Sequence, residues 1–268
     1  MKETILKVLS KDLVSTHQNF KYEIGKWYHC DNFNTDKTVS CSDGFYGVGV
    51  EGLPYVFRHK KDQRVFICEV KGKNVNYDCY KRRWEWLRIV KEINQDTIKQ
   101  MAYDKSAELG YDLFHAIFPV NPLTDIRKHK VTQIDKDNLV KWDSVGDSVW
   151  DSVWDSVRDS VRDSVWDSVW DSVRDSVWDS VRDSVRDSVW DSVRDSVWDS
   201  VRASVGAYIS SLFPNIKKWK DIDHEEGVNP FQPCIDLWNR EFVPSFDGKT
   251  WRLHQGKDAK VVYEWTEN

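Results

Sequence analysis

Between Trp142 and Gly206 the apolar positions recur every fourth residue. The word Asp-Ser-Val-x appears sixteen times without an insertion; Val and Ser never change, Asp yields once to Ala203, and the fourth position holds only Trp, Arg or Gly. Self-similarity at a fixed period marks an array whose units pack on their neighbours. It divides the chain into an N-terminal domain (1–141), the array (142–206) and a C-terminal cap (207–268), and the expected fold class is α+β. Within each word the invariant Val is the natural inward residue and Asp-Ser suits a corner. A position that accepts Trp, Arg and Gly alike points outward.

Two regular structures compete for the array. An α-helix advances about 400° per word, so the Val row drifts about 40° each time and no lasting apolar face forms. Asp, Ser, Val and Trp are each about 0.5–0.7 kcal/mol worse than Ala in a helix. A β-solenoid would instead take three words per coil, with Val stacked inside. Trp142, Trp154, Trp166, Trp178 and Trp190 fall twelve residues apart, as do Arg162, Arg174 and Arg186. The solenoid is therefore the expected form, with a long α-helix as the alternative; the Val content opposes a disordered tract.

The flanks carry other periods. Short apolar runs predict strands at Phe20–Ile24, Lys26–Tyr28, Pro54–Phe57 and Arg64–Val70. From Asp78 the pattern turns helical: Trp84, Leu87, Val90 and Ile93 recur at helical spacing, and a second helical run reaches Phe118 before Pro119 and Pro122. In the cap, helical turns at 208–213 and 234–238 precede a hairpin with Asp247–Gly248 as its turn, and Val261–Trp265 reads as a last strand.

Charge alters this picture because it is unevenly spread. Of the net −5, the array's fifteen Asp and seven Arg contribute −8 and the remainder +3. An acidic array repels nucleic acid and favours basic partners, so no direct nucleic-acid contact is expected of it. Five cysteines at spacings without a zinc pattern, and a start lacking an apolar leader, are expected of a cytoplasmic protein. No run approaches the roughly 20 apolar residues that span a bilayer. Cys30 with His29 and Cys41 is the one combination with metal-binding residue types, but without a Cys-x-x-Cys pair ordinary thiols, and no metal or cofactor, are expected.

FKYEIGKWY (20–28), Cys41-Ser-Asp-Gly-Phe45, RVFICEVKG (64–72) and KRRWEWLRIVKEI resemble an uncharacterised N-terminal domain of phage and prophage proteins. AYISSLF (207–213), PFQPCIDLW (230–238) and VPSFDGKTWRLH (243–254) resemble the segment that follows such repeats. The likeness implies a phage or prophage origin and a modular repeat design, and brings no activity. Gly25-Lys-x-Tyr28, Cys41-x-x-Gly-Phe-Tyr46 and Tyr55-x-Phe57 are reminiscent of ADP-ribosyltransferase-like folds, but the His-Gly pair is missing and no glutamate is placed for the catalytic role, Glu69 being no more than a guess. A small α+β domain with turn glycines accounts for the same residues.

Other chemical signals are isolated. Gly47, Gly49 and Gly52 spell G-x-G-x-x-G, but the run from Leu53 reads as extended chain, so no helix dipole would face a phosphate. His254 stands near Arg252 and Asp247, where acid–base work competes with simple packing. No residue is assigned a catalytic role. The expected function is a non-enzymatic scaffold that binds a host or phage protein through the outward repeat positions Trp150, Trp154, Arg158, Arg162, Trp166, Trp170, Arg174 and Trp178, since Trp and Arg dominate binding hot spots. An ADP-ribosyltransferase-like N-terminal domain and an acidic nucleic-acid mimic are the alternatives.

Overall fold

The computed structural model describes residues 5–15, 19–39, 42–57, 63–76, 81–124, 129–145, 148–160, 163–189 and 197–266. Helices and antiparallel sheets coexist, an α+β protein, in two compact units, Met1–Leu109 and Gly110–Asn268.

In the first unit, strands β1 (Ile5–Ser10), β2 (Trp27–His29), β3 (Phe45–Val48), β4 (Gln63–Asn76) and β5 (Lys81–Ile93) form an antiparallel sheet in the order β2-β5-β3-β1-β4. Because β4 also pairs with β5, the sheet closes on itself as a small barrel. Its interior holds Ile5, Leu9, Tyr22, Phe45, Phe66, Cys68, Trp84, Leu87 and Ile89. The helix expected through Trp84–Ile93 is strand β5. Register shifts at Ile67/Cys68 and Lys71/Asn74 break strict alternation in the β4–β5 ladder, so Trp84, Leu87 and Ile89 reach one core at a spacing of three, then two. Tertiary pairing of aromatic and β-branched residues overrides the local period. The strand expected at Pro54–Phe57 is likewise replaced by a short helix, α1 (Leu53–Val56), with Pro54 in its first turn, where a missing N–H is harmless. The expected helical run appears as α2 (Gln95–Leu109).

The second unit opens with α3 (Leu113–Ile117) and α4 (Gln133–Asp143). The array follows as α5 (Val149–Ser160), α6 (Asp163–Val173), a wide π turn (Arg174–Trp178), α7 (Asp179–Ser188) and α8 (Val197–Ser211). After α8 come α9 (Gln232–Asn239) and the antiparallel meander β6 (Val243–Phe246), β7 (Trp251–Gln255) and β8 (Lys260–Trp265), with the Asp247–Gly248 turn and last strand where expected.

The array is thus neither a solenoid nor one long helix. It is a set of helices that fold back on one another, α5 packing on α6 and α8, and α7 on α8. The reason lies in the drift. Three words of helix turn the Val row by only about 80° between first and last, within the roughly 100° stripe a helix can bury. Helix α5 spans twelve residues, three words, with Val149, Val153 and Val157 buried. The longer run 163–188 contains the π turn, whose extra residue takes back on the order of 100° of accumulated drift. Val169, Val173, Val177, Val181 and Val185 accordingly all stay buried. Burial of this stripe outweighs the poor intrinsic helix propensity of the word.

Candidate binding surface of the repeat array

Helical geometry gives each letter of the word a distinct place. Val faces inward, and part of the Ser set, one residue earlier, lies at the helix contacts: Ser152, Ser156, Ser172 and Ser204 are buried, whereas Ser160 and Ser180 are exposed. Chemically identical serines serve different partners. Ser156 Oγ accepts the Lys220 N–H at 2.8 Å, Ser200 Oγ accepts the Phe246 N–H at 2.8 Å, and Ser204 Oγ donates to the Pro244 carbonyl at 3.1 Å. The repeat is thereby tied to the following segment and to β6. Asp remains outside, exposed at 151, 155 and 159 on α5 and at 175, 179, 183 and 187 from the π turn through α7. Successive carboxylates in each row sit about 6 Å apart along the axis.

The fourth position does not behave uniformly. Trp150, Trp154, Trp166 and Trp170 form one cluster between α5 and α6, with ring centroids 4.7 Å apart for Trp150–Trp170 and 5.0 Å for Trp154–Trp166. Trp166 is 0% exposed and Trp178 5%, whereas Trp150, Trp154 and Trp170 are half-buried. The outward placement read from the word therefore does not hold at Trp166 and Trp178. Large rings fill the space between antiparallel helices that Val alone leaves open. Trp178 packs edge-on against Trp198, which is 42% exposed.

The arginines line this aromatic seam. Arg202 lies 4.3 Å over Trp150, Arg158 5.4 Å over Trp154, and Arg182 5.5 Å over Trp198. Arg174 bridges Asp171 at 2.9 Å and Asp175 at 3.2 Å, while Arg182 bridges Asp179 at 3.1 Å and Asp183 at 2.8 Å. The Arg182 hydrogen bond holds the Asp183 carboxyl below its usual range. Arg162 lies outside the described residues.

The remaining chemical signals resolve into packing. His254 is fully buried: Nδ1 donates to the Ala259 carbonyl at 2.8 Å and lies 3.0 Å from Ser188 Oγ, and Nε2 accepts from Ser245 Oγ at 2.7 Å. A hydroxyl beside an oriented imidazole has the form of a nucleophile–base pair. Both residues are 0% exposed, however, so no substrate reaches them. Burial lowers the His254 pKa to about 4, which keeps the ring neutral. Arg252 is engaged by Asp247 at 2.6 Å.

In the first unit Tyr28 and Phe45 join Phe20 and Tyr22 in an edge-to-face cluster with centroids 4.8–6.3 Å apart. Glu69 binds Arg88 at 2.5 Å, away from that cluster. Gly47 is required by packing, since a Cβ there would lie 2.4 Å from Ile5 Cγ2. His29 pairs with Asp31 at 2.7 Å; Cys41 lies outside the described residues. Among the described residues no helix is long and apolar enough to cross a membrane. No protein-family model, curated protein or solved structure matches the chain.

Proposed function

We propose that this chain is a non-enzymatic scaffold that binds a protein partner through the helical array. The observation that carries the reading is the division of labour within the word: Val, Ser and part of the Trp set build the interior, while Asp stays exposed in two rows flanked by Trp and Arg. Such a surface selects a basic protein, because opposed charge steers encounter and rim aromatics supply contact area. A phage or host cytoplasmic protein is the partner class that the resemblance implies. The test is crosslinking capture with the intact chain and with the variant carrying Asp→Asn at 175, 179, 183 and 187. A partner retained by the parent, released by added salt and lost with the variant supports the reading. Capture indifferent to the four substitutions refutes it.

The same Asp rows favour a second reading, a nucleic-acid mimic, which differs in one outcome. The captured protein would then be a nucleic-acid binder, and DNA would compete for it.

A further inference from the structure

The outer face of the first unit's barrel carries a different chemistry. Two cross-strand rows run over β2, β5 and β4: Trp27–Arg88–Glu69 and His29–Trp86–Lys71. Their side chains interleave as one stack. Arg88 lies 5.0 Å from the Trp27 ring, Lys71 Nζ lies 4.4 Å from Trp27 and 4.7 Å from Trp86, and the His29 ring stacks on Trp86 at 4.1 Å. Cations thus hold two indoles upright on a sheet face, which fixes the rings before any ligand arrives. Lys71 and Lys73 are exposed, and Trp27 and Trp86 are half-buried.

Charge makes the first unit the basic part of the molecule: its net charge is +4 against −9 for the second, and on this face Arg88 is paired with Glu69 while the Lys71 and Lys73 ammonium groups reach solvent. The expectation that nucleic acid is excluded rested on the acid of the array, and that acid lies wholly in the second unit.

We propose that this face binds single-stranded nucleic acid, its phosphates at Lys71 and Lys73 and its bases stacked on His29 and against Trp27 and Trp86. Upright aromatic groups on the outer face of the barrel need bases freed from a duplex, so single strands are preferred over double. Stacking is tolerant of base identity, so the preference among sequences is weak.

The test is fluorescence anisotropy of a labelled oligothymidylate of about 20 nucleotides with the full chain at about 50 mM salt. Three variants are compared, Lys71→Ala, Trp86→Ala and Trp86→Phe, each with its circular dichroism recorded. The parent is expected to bind, with log affinity falling linearly in log salt. Lys71→Ala should lower affinity about tenfold and flatten the salt slope by about one. Trp86→Ala should lower affinity about tenfold or more at any salt, and Trp86→Phe should restore most of it. Lys71 is exposed, so its variant remains informative if Trp86→Ala fails to fold. Absence of binding by the parent, equal affinity for the matching duplex or for polyglutamate, or full affinity in Lys71→Ala would each overturn the proposal.

Discussion

Replacing Trp166 with Arg separates the hairpin of helices from any account based on the word alone. Arg stands at seven equivalent word positions, so by the word the change is neutral. In the structure Trp166 is 0% exposed and meets Trp154 at 5.0 Å, Trp150 at 6.1 Å and Trp170 at 6.4 Å. A buried indole removes on the order of 200 Å² from water, worth about 5 kcal/mol at about 25 cal/mol per Å². Truncation of such residues costs about 3–5 kcal/mol. The guanidinium recovers part of this by running its stem along the seam and turning its head out to Asp167, as Arg174 and Arg182 do to Asp175 and Asp183, but the space left by the ring stays unfilled. The expected net loss is about 4 kcal/mol, a fall in melting temperature of about 10–15 °C for a unit of this size. Trp198→Arg is the control: at 42% exposure it should cost about 1 kcal/mol or less. Both variants are melted side by side by circular dichroism at 222 nm. A Trp166→Arg protein within about 3 °C of the parent, or equal damage from Trp198→Arg, refutes the assignment of this tryptophan to the seam.

Other positions give predictions of opposite sign. His254 binds its proton at about pH 4 in the folded state and at 6.5 ordinarily. Between these values only the unfolded chain is protonated, so stability is complete above pH 6.5 and declines as pH falls toward 4, by about 3 kcal/mol in all. Urea titrations across that window should show the decline in the parent, and His254→Gln should remove most of it. Asp135 is held in a buried position where burial opposes its charge, yet hydrogen bonds from Arg240 at 2.5 Å and from the Thr132 N–H and hydroxyl at 2.7 Å keep its pKa below the usual value. Arg240→Ala strands that carboxylate and should cost about 3–5 kcal/mol, read as a lower denaturation midpoint at neutral pH. Gly206 sits in α8 where a Cβ would meet Trp150 no closer than 3.6 Å, an ordinary contact. Gly206→Ala should therefore stabilise the second unit by about 0.5–1 kcal/mol and raise its melting temperature; a lower one would show that the α5–α8 approach needs glycine.

The inward Val row, the hairpin at Asp247–Gly248 and the last strand were legible because each follows from a local rule that burial then enforces. Strand β5 was not, since the spacing from Trp84 to Leu87 imitates a helix and only the ladder with β4 decides between them. The form of the array is hidden in its sequence for a different reason. A period describes what every word shares, and a helix that drifts about 40° per word buries its valines only if the chain stops and reverses. Where it reverses is written in the fourth position, as mirror symmetry. About Ser160 the variable residues read Trp150, Trp154, Arg158 and then Arg162, Trp166, Trp170, and the paired rings Trp150–Trp170 and Trp154–Trp166 are equidistant from that centre. About Ser188 the match is partial, with Arg174 opposite Arg202 and Trp178 opposite Trp198, and the latter pair again touches. In a periodic chain the antiparallel contact is thus announced by the exceptions to the period. In the first hairpin Trp on one helix meets Trp at the mirrored word of the next, whereas the word nearest the centre on α5 carries Arg158, which is exposed. Among the described residues Trp166 and Trp198, identical by word, differ in burial because Trp166 meets two rings across the seam, Trp150 and Trp154, whereas Trp198 meets one, Trp178.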